Sequence, residues 1–212
     1  MQDLEALAAR TQQVYDQHGA GFDRDRPKDL HERVWLDRFV SLLPSGGSVL
    51  DLGCGAGEPI GGFFIDQGFA LTGVDFSRTM LALARSRFPQ ANWHQCDMCE
   101  LDLGQRFDGI IGWNSFFHLR AEQQRATLSR IAEHLAPEGA LMLTVGPQAG
   151  EVVGQVDGEP VYHASLSPDD YTAILHRYGI MVREFVLADP DCDLQTVLLG
   201  QRRLSPAVLA SP

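Results

Sequence analysis

Apolar positions in this chain switch between two rhythms. Short apolar runs alternate with stretches in which apolar residues recur every third or fourth position, the pattern of strands interleaved with helices. A polar, alanine-bearing helix is expected over residues 3–18, followed by a breaker-rich loop, GAGFDRDRP, over residues 19–27. A second helix over residues 28–43 shows a broad apolar face of Leu30, Val34, Leu36, Phe39 and Val40, and Pro44 stops it. Strands are expected at residues 49–52, 69–75, 91–95, 107–112 and 140–145. Ser77 stands as helix cap before the repeat Met80, Leu81, Ala84, and a helix over residues 121–135 carries Leu128, Ile131 and Leu135 on one side. The rhythm breaks at residues 146–166, which read as an insertion over the carboxyl ends of the strands. Ser167 then caps a helix over 168–178 with Asp169 and Asp170 in its first turn. Two last strands, 179–188 and 194–202, are joined by the short run DPDCD and so form an antiparallel pair. The tail, residues 204–212, is expected to fray.

Strands alternating with helices predict an α/β fold: a three-layer, doubly wound, mostly parallel sheet of seven strands with an antiparallel strand at its C-terminal end. The whole of residues 1–212 reads as a single domain, a size able to bury a sizeable core.

The chemistry concentrates in VLDLGCGAGEP, residues 49–59. A short buried strand carrying Asp51 runs into Gly53, Gly55 and Gly57, where a side chain would obstruct a sharp turn and a close ligand. Pro59 suits the first position of the next helix. Strand, glycine turn and helix N-terminus together make a cradle for a nucleotide-like ligand. A dinucleotide fingerprint needs its third glycine at residue 58, which is Glu. Asp51 and Glu58 would repel a pyrophosphate and welcome an ammonium or a sulfonium. The acid-G-x-G-x-G pattern resembles the first motif of the class I, Rossmann-like S-adenosylmethionine (SAM) dependent methyltransferases. Asp75, eighteen residues beyond Gly57 at the end of the second strand, stands where the ribose-binding acid of a nucleotide fold is expected.

That resemblance extends over about residues 29–203 and implies roles. Asp51 would accept from the ammonium of SAM, with Gly53, Cys54, Gly55 and Gly57 forming the turn. Asp75 and Phe76 would meet the ribose, and Asp97 and Met98 the adenine. Trp113 to Leu119 would lie at the methyl-transfer centre. Asn114 is followed there by Ser115 and Phe116 rather than by the two prolines of methyltransferases that act on amide or base nitrogens. His118 is the general-base candidate. Tyr15, Phe22, Asn114, Phe117, Tyr162 and His163 are candidate substrate contacts. Residues 1–28 would form an N-terminal lid segment and residues 146–166 a substrate-side wall. The implied cofactor is SAM, with S-adenosylhomocysteine (SAH) as product, and the implied acceptor is a small molecule. A nicotinamide-dependent oxidoreductase and a non-catalytic SAM-binding protein are the alternatives.

Composition narrows the partners. Seventeen basic against twenty-eight acidic residues give a formal charge of −11. That balance argues against nucleic acid and anionic membranes, which are met by basic surface. No apolar run approaches a bilayer span, and the N-terminus lacks the basic start and apolar core of a signal peptide, so a cytoplasmic location is expected. The pair Cys96 and Cys99 with His94 nearby lacks a second metal-binding half, so no metal is expected and the four cysteines read as reduced thiols. A monomer and a homodimer remain equally open.

Overall fold

The structure is a computed structural model describing residues 4–204; the side chains of Gln12, Ala20 and Phe22 lie outside the described residues. The tail expectation, Leu204 apart, also falls outside them. In chain order the elements are α1 (Leu4–Asp25), α2 (Arg33–Val40), β1 (Ser48–Leu52), α3 (Ile60–Asp66), β2 (Ala70–Asp75), α4 (Arg78–Arg87), β3 (Asn92–Gln95), β4 (Phe107–Gly112), α5 (Ala121–His134), β5 (Leu135–Val145), β6 (Gly150–Val156), β7 (Glu159–Ser165), α6 (Pro168–Arg177), β8 (Ile180–Asp189) and β9 (Gln195–Arg202). The main sheet has seven strands in the order β3-β2-β1-β4-β5-β9-β8. β1 to β5 run parallel, while β9 is antiparallel to both β5 and β8. This is the doubly wound α/β sheet that the sequence predicts.

Strand periodicity explains why both faces are covered. Val49, Ile111 and Met142 point into one core with Trp35, Phe39, Phe64 and Leu81, while Leu50, Ile110, Leu141 and Leu143 enter the other with Leu128, Ile131 and Leu175. Successive side chains leave opposite faces of a strand, so an unbroken apolar run feeds two cores. Each fully buried Leu or Phe contributes roughly 1.5–3 kcal/mol. Ser77 and Ser167 cap α4 and α6 by accepting from Met80 N and Asp170 N, as their positions predict.

Three expectations are corrected. The loop expected at residues 19–27 is instead the last turns of α1, which runs on to Asp25. Two helical glycines cost about 1 kcal/mol each, but Gly19 lies close to α4: a Cβ would come within 2.8 Å of Met80 Sδ, so that flexible side chain would have to shift to admit any larger residue. Ion pairs hold the end of that helix, where Arg87 meets Asp23 at 2.5 Å and Lys28 meets it at 3.0 Å. The Arg87 guanidinium is the main reason that the Asp23 carboxyl is pulled down to about 2. Second, the helix expected over 28–43 is confined to α2, its lost first turn forming the connection from α1. Pro59, third, precedes α3 at its N-cap rather than occupying its first turn.

The insertion is a separate two-stranded sheet, the hairpin β6–β7. It packs on α1 through Leu7 against Tyr162 and Ala164, and through Val14 against Val156 and Val161. Among the described residues, no helix is long and apolar enough to cross a membrane.

Candidate active site

At the carboxyl edge of the sheet the strand ends are tied to one another. Ser115 Oγ, just past β4, donates to the Leu52 carbonyl at the end of β1 at 2.5 Å. Gly53 N and Cys54 N both donate to the Val74 carbonyl of β2. Asp75 closes the arrangement, accepting from Gly55 N at 2.9 Å through one oxygen and from Ser77 N at 2.8 Å through the other. The glycine turn is therefore held in place by the carboxylate at the next strand end.

Gly53 shows why the turn must be glycine. Its φ is +70°, and a Cβ there would lie 2.4 Å from Ser115 Cβ. Gly53→Ala is expected to cost about 1–3 kcal/mol from backbone strain alone, before the clash is counted. Urea unfolding of the variant checks this; an unchanged midpoint would mean that the turn relaxes freely.

Beyond the turn lies a cavity of about 410 Å³. Gly53, Gly55, Asp75, Phe76, Met80 and Met98 line one part of it. Tyr15, Trp113, Asn114, Ser115 and His118 line the part beside β4. Arg26, Glu32, Cys192, Asp193 and Gln195 line the side formed by the α1–α2 connection and the β8–β9 turn. α1 crosses one edge, where Asp16 accepts from Ser77 Oγ at 2.6 Å and from Thr79 Oγ1, through its carbonyl, at 3.2 Å.

Burial shapes the charges here. Asp51 is buried at 4% exposure, and its carboxyl is pushed up to about 7, chiefly by desolvation; Arg26 opposes the shift and Asp75 adds to it. Asp75 is pushed up to about 6 by the same desolvation, against the hydrogen bonds from Ser77 and Gly55. His118 is pulled down to about 4 by burial, with His163 adding to the shift. Its ring has one possible tautomer in this setting. Nδ1 lies 3.1 Å from the Tyr162 carbonyl, which can only accept, so Nδ1 carries the proton. Nε2 is then the acceptor for the Tyr15 hydroxyl at 3.0 Å. Burial is the main cause that pushes the Tyr15 phenol well above its usual range, so it keeps its proton.

Of the residues expected from the sequence, Tyr15, Gly53, Gly55, Asp75, Phe76, Met98, Trp113, Asn114 and His118 line the cavity. Asp51, Cys54 and Gly57 do not; Asp51 is buried within β1 and Cys54 within the turn. Asp97 is exposed, and its carboxylate is spent accepting from Cys99 N at the start of a short 3₁₀ turn, Met98–Glu100. Tyr162 faces α1 and donates to Glu151 within the hairpin. Phe117 and His163 pack at a tilt of 57°, centroids 4.6 Å apart, and His163 lies 4.9 Å from the His118 ring. These last two contact the cavity-lining histidine rather than the cavity. The Phe22 side chain lies outside the described residues. Arg26, Glu32, Met80, Asp157 and the β8–β9 turn were not expected. The turn had a signal in the sequence: β9 runs against β5, so the link before it must return to the carboxyl edge.

A family model described as a methyltransferase domain matches residues 49–139. Among curated relatives, a dTDP-3-amino-3,4,6-trideoxy-alpha-D-glucopyranose N,N-dimethyltransferase of Streptomyces venezuelae is 33% identical over 132 residues, covering 61% of this chain and 54% of that protein. A dTDP-3-amino-3,6-dideoxy-alpha-D-glucopyranose N,N-dimethyltransferase of Streptomyces fradiae is 32% identical over 133 residues, covering 62% and 51%. The chain thus spans about half the length of these relatives. In fold it is similar to the 1,6-didemethyltoxoflavin-N1-methyltransferase of Burkholderia thailandensis, with a TM-score of 0.73, 20% identity, and coverage of 97% of this chain and 92% of that one. These proteins carry methyltransferase names, and the nicotinamide alternative gains no support from them. By its sheet order, its glycine turn and these matches, the chain has the fold of the class I, Rossmann-like SAM-dependent methyltransferases and is similar to them in sequence over residues 49–139.

Proposed function

We propose that this chain transfers the methyl group of SAM to an amino nitrogen of a small molecule. The observation that carries the reading is the continuity of the cavity. It runs from the glycine turn and Asp75, past Asn114 and the Tyr15–His118 pair, to a side built from the α1–α2 connection and the β8–β9 turn. The residues present suit SAM: a turn that a Cβ would fill, a half-buried carboxylate at the β2 end, Asp75, and a buried acid, Asp51, for an ammonium. Asp75 would hold the ribose hydroxyls through lone pairs not used by Gly55 and Ser77. Met98 offers a soft apolar face to the adenine. A nitrogen acceptor is supported by the two amino-sugar N,N-dimethyltransferases among the relatives.

SAM supplies an activated methyl group on sulfur, so the protein's part is to align a nucleophile and manage its proton. Tyr15 donates a hydrogen bond to His118 Nε2, so its oxygen would act toward the cavity as a hydrogen-bond acceptor. An N–H of the acceptor would donate to that oxygen, and its proton would pass through Tyr15 to His118. The Tyr162 carbonyl would steady the imidazolium through Nδ1–H. Calorimetry tests the reading: SAH should bind far more tightly than NAD. Equal or tighter binding of NAD, or no binding of SAH, would overturn it.

A further inference from the structure

Two buried oxygens on cavity-lining residues have no hydrogen-bond partner among the described residues. Asn114 Oδ1 and Glu32 Oε1 are both fully screened from water, and both residues line the cavity. A buried acceptor without a donor is destabilising, a cost that a bound ligand's N–H or O–H would remove. Asn114 is held toward that use. Its backbone is in the left-handed region, φ 52°, and its N–H is fixed on Thr144 Oγ1 at 2.7 Å, at the end of β5. Non-glycine residues in such conformations concentrate at functional sites.

Glu32 is more unusual. It sits at the N-cap of α2 with 6% of its surface exposed, yet makes no capping bond. Its nearest cation, Arg26 Nη2, is 3.5 Å away, an ion pair without hydrogen-bond geometry. The carboxylate lies near the β8–β9 turn, where it adds to the rise that burial gives the Cys192 thiol, and both residues line the cavity. Around it the cavity lining carries four further acids besides Asp75, namely Asp25, Asp29, Asp157 and Asp193, against the single arginine, Arg26. Asp157 is met by His18 and Asp25 by Arg24. A diphosphate would find a repelling surface here, with no lysine or second arginine among the described lining residues to bind it.

We infer that the acceptor is a cationic small molecule with at least two amino groups and no phosphate. One amine is held as an ammonium by Glu32, and the other enters neutral beside Asn114 as the nucleophile. The two acceptors suit these two states. An ionised carboxylate stabilises an ammonium, whereas a neutral amide oxygen aligns an N–H without driving the amine to keep its proton. The inference rests on the methyltransferase reading above and departs from the dTDP-linked sugars named for the relatives.

Calorimetry on the full chain loaded with SAH tests it, using 2-deoxystreptamine as a diamine and a dTDP-linked 3-amino sugar as its phosphate-bearing rival. The diamine should bind at least ~10-fold more tightly, the direction set by like-charge repulsion of the diphosphate. Glu32→Gln should weaken the diamine ~10-fold or more, the scale of losing a charged hydrogen bond, and leave SAH affinity as it was. Asp193→Asn, an exposed change, should weaken the diamine by a smaller factor should Glu32→Gln fail to fold. Tighter binding of the nucleotide sugar, no binding of the diamine, or a loss of SAH affinity in Glu32→Gln would each overturn the inference. Failure of the parent protein to bind SAH would instead overturn the methyltransferase reading, so the two failures are distinct.

Discussion

Replacing Asp51 with Asn is expected to weaken SAH binding by roughly 10–100-fold, the scale of one lost charge-assisted hydrogen bond. It should also abolish the pH dependence of that binding. The sign follows from burial. Asp51 titrates at about 7 in the ligand-free protein, so near neutral pH it is only partly ionised. A ligand ammonium binds the ionised form, and affinity should therefore fall as pH drops through 7, by ~10-fold near pH 5.5. Stability should move the other way. A carboxyl whose folded value lies above its unfolded value contributes stability at low pH that is lost as pH rises through the folded value. Asp51 at about 7 and Asp75 at about 6 both act in this direction. The ligand-free protein should thus melt a few degrees lower near pH 8 than near pH 6, at about 2–4 °C per kcal/mol. Asp23, held down to about 2, stays ionised throughout and does not confuse the window. Calorimetry and melting across that range check both slopes. A parent protein with pH-independent SAH affinity, or an Asp51→Asn variant that keeps the parent's slope, would mean that Asp51 meets no ligand charge.

The sheet was legible because its signals are local. An apolar run at residues 107–112 can be read strand by strand, and Ser77 and Ser167 announce their helices by capping chemistry that depends only on nearby backbone. What failed was decided by distant contacts. GAGFDRDRP reads as a loop because glycine is a poor helix former, yet Gly19 packs closely against Met80 of α4, and Arg87 anchors Asp23 from sixty-four residues away. No local pattern reports such a neighbour. The hairpin β6–β7 was visible only as a break in rhythm, since two strands forming their own sheet leave no trace of which surface they cover.

The candidate site divides along the same line. Gly53, Gly55 and Asp75 were found through motif spacing, which fixes them within one βαβ unit. The rest of the cavity is assembled from an α1–α2 connection, a strand-four end and a β8–β9 turn that are far apart in sequence, so Arg26, Glu32 and Gln195 carried no common signal. Tyr162 and His163 were the expected contacts of the insertion, but alternate residues of a strand face opposite ways. Tyr162 went to the α1 side and His163 to the Phe117 ring, and it is the Tyr162 backbone carbonyl that reaches His118.

That carbonyl is central to the second large effect. His118→Ala is expected to lower kcat by ~100-fold or more, within the range for removing a positioned proton acceptor, while the KM for SAM changes little. Tyr15→Phe should cost a similar factor, because Tyr15 and His118 are two links of one relay, 3.0 Å apart. The double variant should then be scarcely worse than either single one, as expected for residues acting as a unit. Protein stability separates this from a structural role. His118→Ala orphans the Tyr162 carbonyl and should cost about 1–3 kcal/mol, whereas Tyr15→Phe keeps that bond and removes only the relay. A third readout is the pH profile. With its buried ring pulled down to about 4, His118 should give no break in kcat near the ordinary histidine value. A Tyr15→Phe enzyme with parental kcat would rule the relay out and leave His118 as the residue that pins the hairpin to the end of β4.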